Sequence, residues 1–180
     1  NSLLTMKFRF YHDQEVLDTP QEFQQMWVGT IPFNPDYDDN TPPIVFNVPD
    51  NASKVEFVSY ITGHGWGSNG TYNCAEFCNS KHVFTVNGGV HEFETSYPEA
   101  GDLDYCMEPG TIAQGVKPNQ YGTWGYGRAG WCPGQDVHPV VTDITDYIAI
   151  GEDNVMDYDG CRVQGNNCLD PPICQGDGYC

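Results

Sequence analysis

Basic residues are scarce in this chain. Lys and Arg together number 7, against 25 Asp and Glu in 180 residues, a formal net charge of -18. Phosphate backbones are gripped by clustered Lys and Arg that displace counterions. The basic side chains here are scattered from Lys7 to Arg162 and form no such cluster. The same shortage disfavours an anionic membrane surface. Also missing is any apolar run near the ~18–20 residues that a bilayer-spanning helix requires. Nucleic acid and membrane insertion are thereby excluded. Lys, Leu and Ala are few, whereas there are 20 Gly and 13 Pro, which points away from helices and toward short strands joined by turns. Hydrophobics at 39% and aromatics at 13% supply a core that a disordered acidic chain lacks, and the acids are spread along the sequence. A domain of this size buries about two thirds of its unfolded surface. The expectation is one all-β domain.

Eight cysteines and two glycosylation sequons, Asn51-Ala52-Ser53 and Asn69-Gly70-Thr71, read as a secreted, disulfide-bonded protein. Structural zinc is disfavoured. Cys74-x3-Cys78 and the run Cys161, Cys168, Cys174, Cys180 lack the paired C-x2-C knuckles that zinc sites use. No leader peptide stands at Asn1, the expectation for a processed, extracellular chain.

Thr19-Pro20-Gln21-Glu22 has the form of a capping box with Pro at the first helical position, and Gly29 is a stop. One short helix is expected over residues 20–28, with Phe23, Met26 and Trp27 on one face. Residues 32–43 are a loop by composition. After it the period becomes two. Strands are expected at 44–48, 54–62, 82–86, 90–95, within 137–150 and at 154–158. Asn87-Gly88-Gly89 marks a hairpin, because Asn and Gly tolerate positive φ. Short strands with glycine-rich connections point to two packed antiparallel sheets. The organisation expected is an N-terminal strand, helix and loop over 1–43, a core over 44–159, and a cysteine-rich tail over 160–180 that needs its disulfides to hold shape.

Three segments combine unusual residue types at fixed distances: Thr62-Gly63-His64-Gly65, Cys74-Ala75-Glu76-Phe77-Cys78, and Arg128-Ala129-Gly130-Trp131-Cys132-Pro133-Gly134. Together they resemble the C-terminal half of the peptide:N-glycosidase F family, over about 44–158. Those enzymes hydrolyse the amide between an N-linked glycan and its asparagine. The resemblance implies an eight-stranded antiparallel jelly-roll sandwich. It also implies the disulfides Cys74–Cys78 and Cys106–Cys132, with Cys161, Cys168, Cys174 and Cys180 pairing in the tail or with another chain. The second bridge would contribute about 3–3.5 kcal/mol on the loop-entropy model.

Carried over residue by residue, Glu76 is the family's secondary catalytic carboxylate and Arg128 the arginine that lines the same cleft. A guanidinium holds a carboxylate ionised and oriented, or binds sugar hydroxyls. The competing role is a structural salt bridge between two loops. The family's principal Asp comes from an N-terminal jelly roll, which the residues before Ile44 are too few to form. Asp36, Asp38, Asp39 and Asp102 are stand-ins that no spacing supports, so catalysis by this chain alone is not expected. A glycan on Asn69 would also crowd the loop beside Glu76.

His64, Trp66, Tyr121, Trp124 and Tyr126 are further candidates for the cleft, since aromatic rings pack against sugar C–H faces. Trp131, beside a cysteine, reads as a core residue. Copper is disfavoured because the five His show no His-x-His pattern. No cofactor is required, with calcium as the one ion the acids suit: Asp36, Asp38, Asp39, Asp143, Asp146, Asp153 and Asp157 offer hard oxygen ligands. Two functions remain. One is a non-catalytic extracellular module that binds glycan, glycoprotein or copies of itself; the other is an amidase on glycopeptides, completed by a second domain or chain.

Overall fold

The computed structural model describes residue 20 and residues 22–65, 74–118 and 122–171. Seven strands, all paired antiparallel, carry the fold among them. They are β1 (Ile44–Asn47), β2 (Glu56–Ser59), β3 (Ser80–Val86), β4 (His91–Tyr97), β5 (Val140–Asp143), β6 (Asp153–Gln164) and β7 (Asn167–Leu169). Among the described residues helix is confined to two single turns, α1 (Cys74–Phe77) and α2 (Pro109–Ile112), and two short 3-10 segments. β1, β6, β3 and β4 form one sheet in that order, with β7 added beside β6, while β2 and β5 form a second.

The large sheet buries one face because its strands alternate. Ser80, His82, Phe84 and Val86 of β3 are buried, and Asn154, Met156 and Tyr158 of β6 alternate in the same way. Phe84 pairs with Phe93 on one side and Tyr158 on the other, and its ring lies 5.4 and 4.7 Å from theirs. From the small sheet Phe57 reaches down to 4.6 Å from Phe84, so the two layers share one core. A second, smaller cluster gathers Cys106, Cys132 and Val116, with Tyr105 and Trp124 packed on it.

The hairpin at Asn87-Gly88-Gly89 forms with φ of 49, 66 and 97°. Asn87 does more than turn the chain: its carboxamide accepts from Val155 N and donates to Asn154 Oδ1, each at 2.9 Å.

Residues 22–28 form no helix. A segment of that length is marginal as an isolated helix, and tertiary contacts outweigh its capping signal. The Trp27 indole donates to Pro42 O at 2.9 Å and its ring lies 5.0 Å from Tyr158, while Phe23 is left 83% exposed. Thr19 and Gln21 of the capping box lie outside the described residues, as do the expected N-terminal strand before it and Cys174 and Cys180. The 32–43 loop is anchored rather than loose. Tyr37 and Thr41 are buried, the Tyr37 hydroxyl is 2.6 Å from that of Tyr158, and Gly160 N donates to Asp38 Oδ1 at 2.9 Å. A Cβ at Gly160 would run into the Tyr37 ring, so only glycine lets the loop cross here. Past Gly160 the chain keeps pairing: β6 continues to Gln164, β7 returns beside it, and Cys161–Cys168 joins the two.

Candidate functional site

The three motif segments meet at one end of β2. α1 presents Glu76 inside a Cys74–Cys78 disulfide whose Cα atoms are 4.5 Å apart. Ala129 N donates to Glu76 O and Gly63 N to Ala129 O, both at 2.9 Å, so the 62–65 and 128–131 segments lie against α1. Gly63 is obligatory there, because a Cβ would fall on the Ala75 carbonyl. The Trp131 indole closes the set by donating to Gly63 O at 2.7 Å.

At the centre Arg128 Nε donates to Glu76 Oε1 at 2.7 Å. Arg128 Nη1 donates to Tyr126 O at 2.9 Å and Nη2 to Thr123 O at 3.0 Å. Its guanidinium carbon sits 5.2 Å from the Phe77 ring centroid and 4.9 Å from that of Trp131, and the residue is 1% exposed. The second Glu76 oxygen accepts from Gly65 N at 3.2 Å, and the carboxylate side chain is 12% exposed. Both partners of the pair thus face inward, toward loops of their own chain.

Of the other cleft candidates, His64 is exposed, 3.1 Å from Thr62 Oγ1, with its ring 4.6 Å from that of Trp131. Tyr126 is exposed beside Phe77. Trp124 belongs to the Cys106–Cys132 cluster, where those cysteines are bonded with Cα atoms 5.7 Å apart. Trp66, Tyr121 and Asn69 lie outside the described residues; Asn51 is exposed.

The acids offered for calcium do not converge. Among the described residues no group of three or more His, Cys, Asp or Glu is placed to hold a metal. Asp38 holds Gly160 N, Asp153 accepts from Asn47 Nδ2 at 3.3 Å, Asp157 accepts from Tyr158 N, and Asp143 is held below the usual carboxylate range by the Thr145 hydroxyl and amide. Asp36 and Asp39 are exposed on the 32–43 loop, and Asp146 on the 3-10 segment Thr145–Tyr147.

The family model for the C-terminal part of peptide-N-glycosidase F matches residues 32–171. The chain belongs to this family. Among solved structures, a peptide-N(4)-(N-acetyl-β-D-glucosaminyl) asparagine amidase is 22% identical over 73% of this chain and 40% of its own, with a TM-score of 0.49. Recombinant peptide:N-glycanase F is 22% identical over 78% and 44%, with a TM-score of 0.46. PNGase F, a glycosylasparaginase from Flavobacterium meningosepticum, is 20% identical over 79% and 46%, with a TM-score of 0.47. The chain therefore spans less than half the length of each of these three. No curated protein sequence matches it.

On this N-glycanase C-terminal domain, one feature extends beyond the three motifs. Gly130 and Trp131 of the third motif form one wall of a depression of about 170 Å³, whose other lining residues include Tyr97, Glu99, Tyr105, Gln135, Asp136 and His138. The Glu99 carboxyl is raised above the usual range by burial and by the nearby Asp102. Tyr97 is pushed up to about 12 by burial and by Glu99. No motif marks these residues; the one trace in the sequence is an aromatic and carboxylate mixture around 97–105.

Proposed function

We propose that the chain is a secreted, disulfide-bonded jelly-roll module that binds glycan, free or on a glycoprotein, and does not hydrolyse it. The observation that carries this is the state of Arg128. Its guanidinium is sealed from solvent and turned to Glu76 and two backbone carbonyls, which suits a brace between loops better than a clamp on substrate. Ligand contact then falls to the neighbouring depression. Tyrosine rings there suit sugar C–H faces, and Glu99, Gln135 and Asp136 suit hydroxyls. Three disulfides among the described residues support an oxidising compartment. Two facing antiparallel sheets support the jelly-roll topology.

Titration of the purified chain with an N-glycopeptide, followed by NMR, tests the proposal. Shifts are expected at Tyr97, Glu99 and Tyr105, with the glycan left attached. Glu99→Gln and Tyr105→Ala should each weaken binding about tenfold, or ~1.4 kcal/mol. Unperturbed spectra at millimolar ligand would sink the binding role.

A second reading is favoured by membership of the peptide-N-glycosidase F family and by the share of the relatives' length that the chain spans. In it the chain is one half of an amidase, Glu76 assists at the cleft, and the principal carboxylate comes from a second domain or chain. Release of glycan that disappears in Glu76→Gln, with the fold intact by circular dichroism, would establish this reading in place of the first.

A further inference from the structure

Between β1 and β2 the chain makes a tight turn at residues 49–52, closed by Ala52 N donating to Pro49 O at 3.0 Å. The turn is pinned on both flanks. Ala52 packs against the main core, and Gly151 N donates to Val48 O at 2.8 Å. Gly151 has a φ of 78°, which favours glycine, and a Cβ there would push the Asp50 carboxylate aside. With its neighbours fixed, the turn holds Asn51 outward, and both Asn51 and Ser53 of the Asn-Ala-Ser triplet are exposed. Next to it opens a shallow depression of about 560 Å³ lined by Ser53, Lys54, Asp143, Thr145, Asp146 and Tyr147.

We infer that Asn51 is an N-glycosylation site and that its first sugars rest over this depression. The modification is a group transfer from a lipid-diphosphate-linked oligosaccharide, made by the transferase of the secretory pathway. The Asn51 Nδ2 forms a bond to the anomeric carbon, the bond from that carbon to the diphosphate oxygen breaks, the amide loses one proton to the enzyme's base, and the lipid diphosphate leaves. Ser53 supplies the hydroxyl that the acceptor triplet needs. A glycan is bulky and strongly hydrated, so a folded protein keeps one only where the asparagine projects into solvent. Tyr147, 36% exposed with one ring face stacked on His91, lies at the rim beside the Ser53 hydroxyl and the Lys54 ammonium, which pairs with Glu56 at 2.7 Å.

The position also matters for the first site. Asn51 precedes β2 and Gly63 follows it, so a glycan here lies at the end of the small sheet away from Glu76 and Arg128. It leaves that face open, whichever function the face performs.

Expression in a eukaryotic secretory host, followed by intact-mass and peptide mass spectrometry, tests the inference. The secreted chain should be heavier than its sequence mass by a glycan. That excess should fall by one glycan in both Asn51→Gln and Ser53→Ala and persist in Ser53→Thr. Release with an amidase in heavy-oxygen water should convert Asn51 to a labelled Asp. Recovery of the Asn51 peptide unmodified from the folded, secreted chain would overturn the inference, as would a mass excess unchanged in both loss variants.

Discussion

Arg128 is one of seven basic residues in the chain, and it is the most deeply buried charge described. Its value lies in what it satisfies: one carboxylate oxygen of Glu76 and the backbone carbonyls of Tyr126 and Thr123. Removing one member of a buried ion pair leaves the other desolvated and unpaired, which costs about 3–5 kcal/mol. Arg128→Ala should therefore lower unfolding free energy by that order in urea titration, and Glu76→Gln in the same chain should recover part of the loss. A loss under about 1 kcal/mol would mean that the pair is solvated like a surface bridge. Glu76 and Arg128 were both legible as a constellation through the family resemblance of their motifs. Their inward orientation was not, because it depends on backbone atoms of Thr123, Tyr126 and Gly65, whose positions no side-chain pattern encodes.

At the level of elements, the 32–43 loop behaves as a strap across β6. Tyr37, Tyr158 and His82 form a buried hydrogen-bonded row, with the Tyr158 hydroxyl 2.7 Å from His82 Nδ1. His82 is surrounded by Phe33, Tyr37, Tyr97 and Tyr158, and burial lowers its pKa to about 4. The unfolded chain binds this proton near pH 6.5. The folded chain resists it until about pH 4. Stability present above pH 6.5 is consequently lost as pH falls through this window, at up to about 1.4 kcal/mol per pH unit. Subtracting the stability of His82→Gln from that of the native chain at each pH isolates this slope, since the carboxylates contribute to both. Parallel curves would show that His82 titrates normally.

The strap also shows why the elements were unevenly legible. β3 and β4 announce themselves through alternation and through Asn87-Gly88-Gly89, which are local signals. Residues 32–43 read as a loop because Asp, Asn and Pro dominate them, and nothing in that composition shows that Tyr37 and Thr41 are buried by contacts with β6 more than a hundred residues away. Residues 22–28 fail in the opposite direction. A helical cap and spacing were present, but Trp27 is claimed by Phe84, Tyr158 and Pro42. Beyond Gly160 the strand continues without apolar periodicity, since the Cys161–Cys168 bond and backbone pairing hold it instead.

For the molecule as a whole, the charge of -18 is scarcely neutralised from within. Three ion pairs occur among the described residues, and two of them are at the surface. Self-repulsion of this kind destabilises the compact state and is relieved by screening. Raising sodium chloride from about 0.01 to about 0.15 M, which shortens the Debye length from about 30 to about 8 Å, should raise Tm. Calcium at matched ionic strength should add nothing further, given that no described acids converge on a common point. A specific calcium increment in Tm would reveal a site formed elsewhere in the chain.

β6 joins every other strand of the large sheet except β4, pairing with β1, β3 and β7 along its twelve residues. Ile44 meets Met156 across that seam, and Val86 meets the same residue from the other side. Pairing at such sequence separation must close long loops before any contact rewards them. During synthesis β1 leaves the ribosome with no neighbour, and the β3–β4 hairpin forms alone. The core residues Phe84 and Val86 stay uncovered on the β6 side until that strand is made. With eight cysteines in the chain, that interval is when wrong disulfides form under oxidising conditions. The late arrival of β6 makes the order of oxidation a determinant of yield, and it places the Cys161–Cys168 bond among the last of the described disulfides to close.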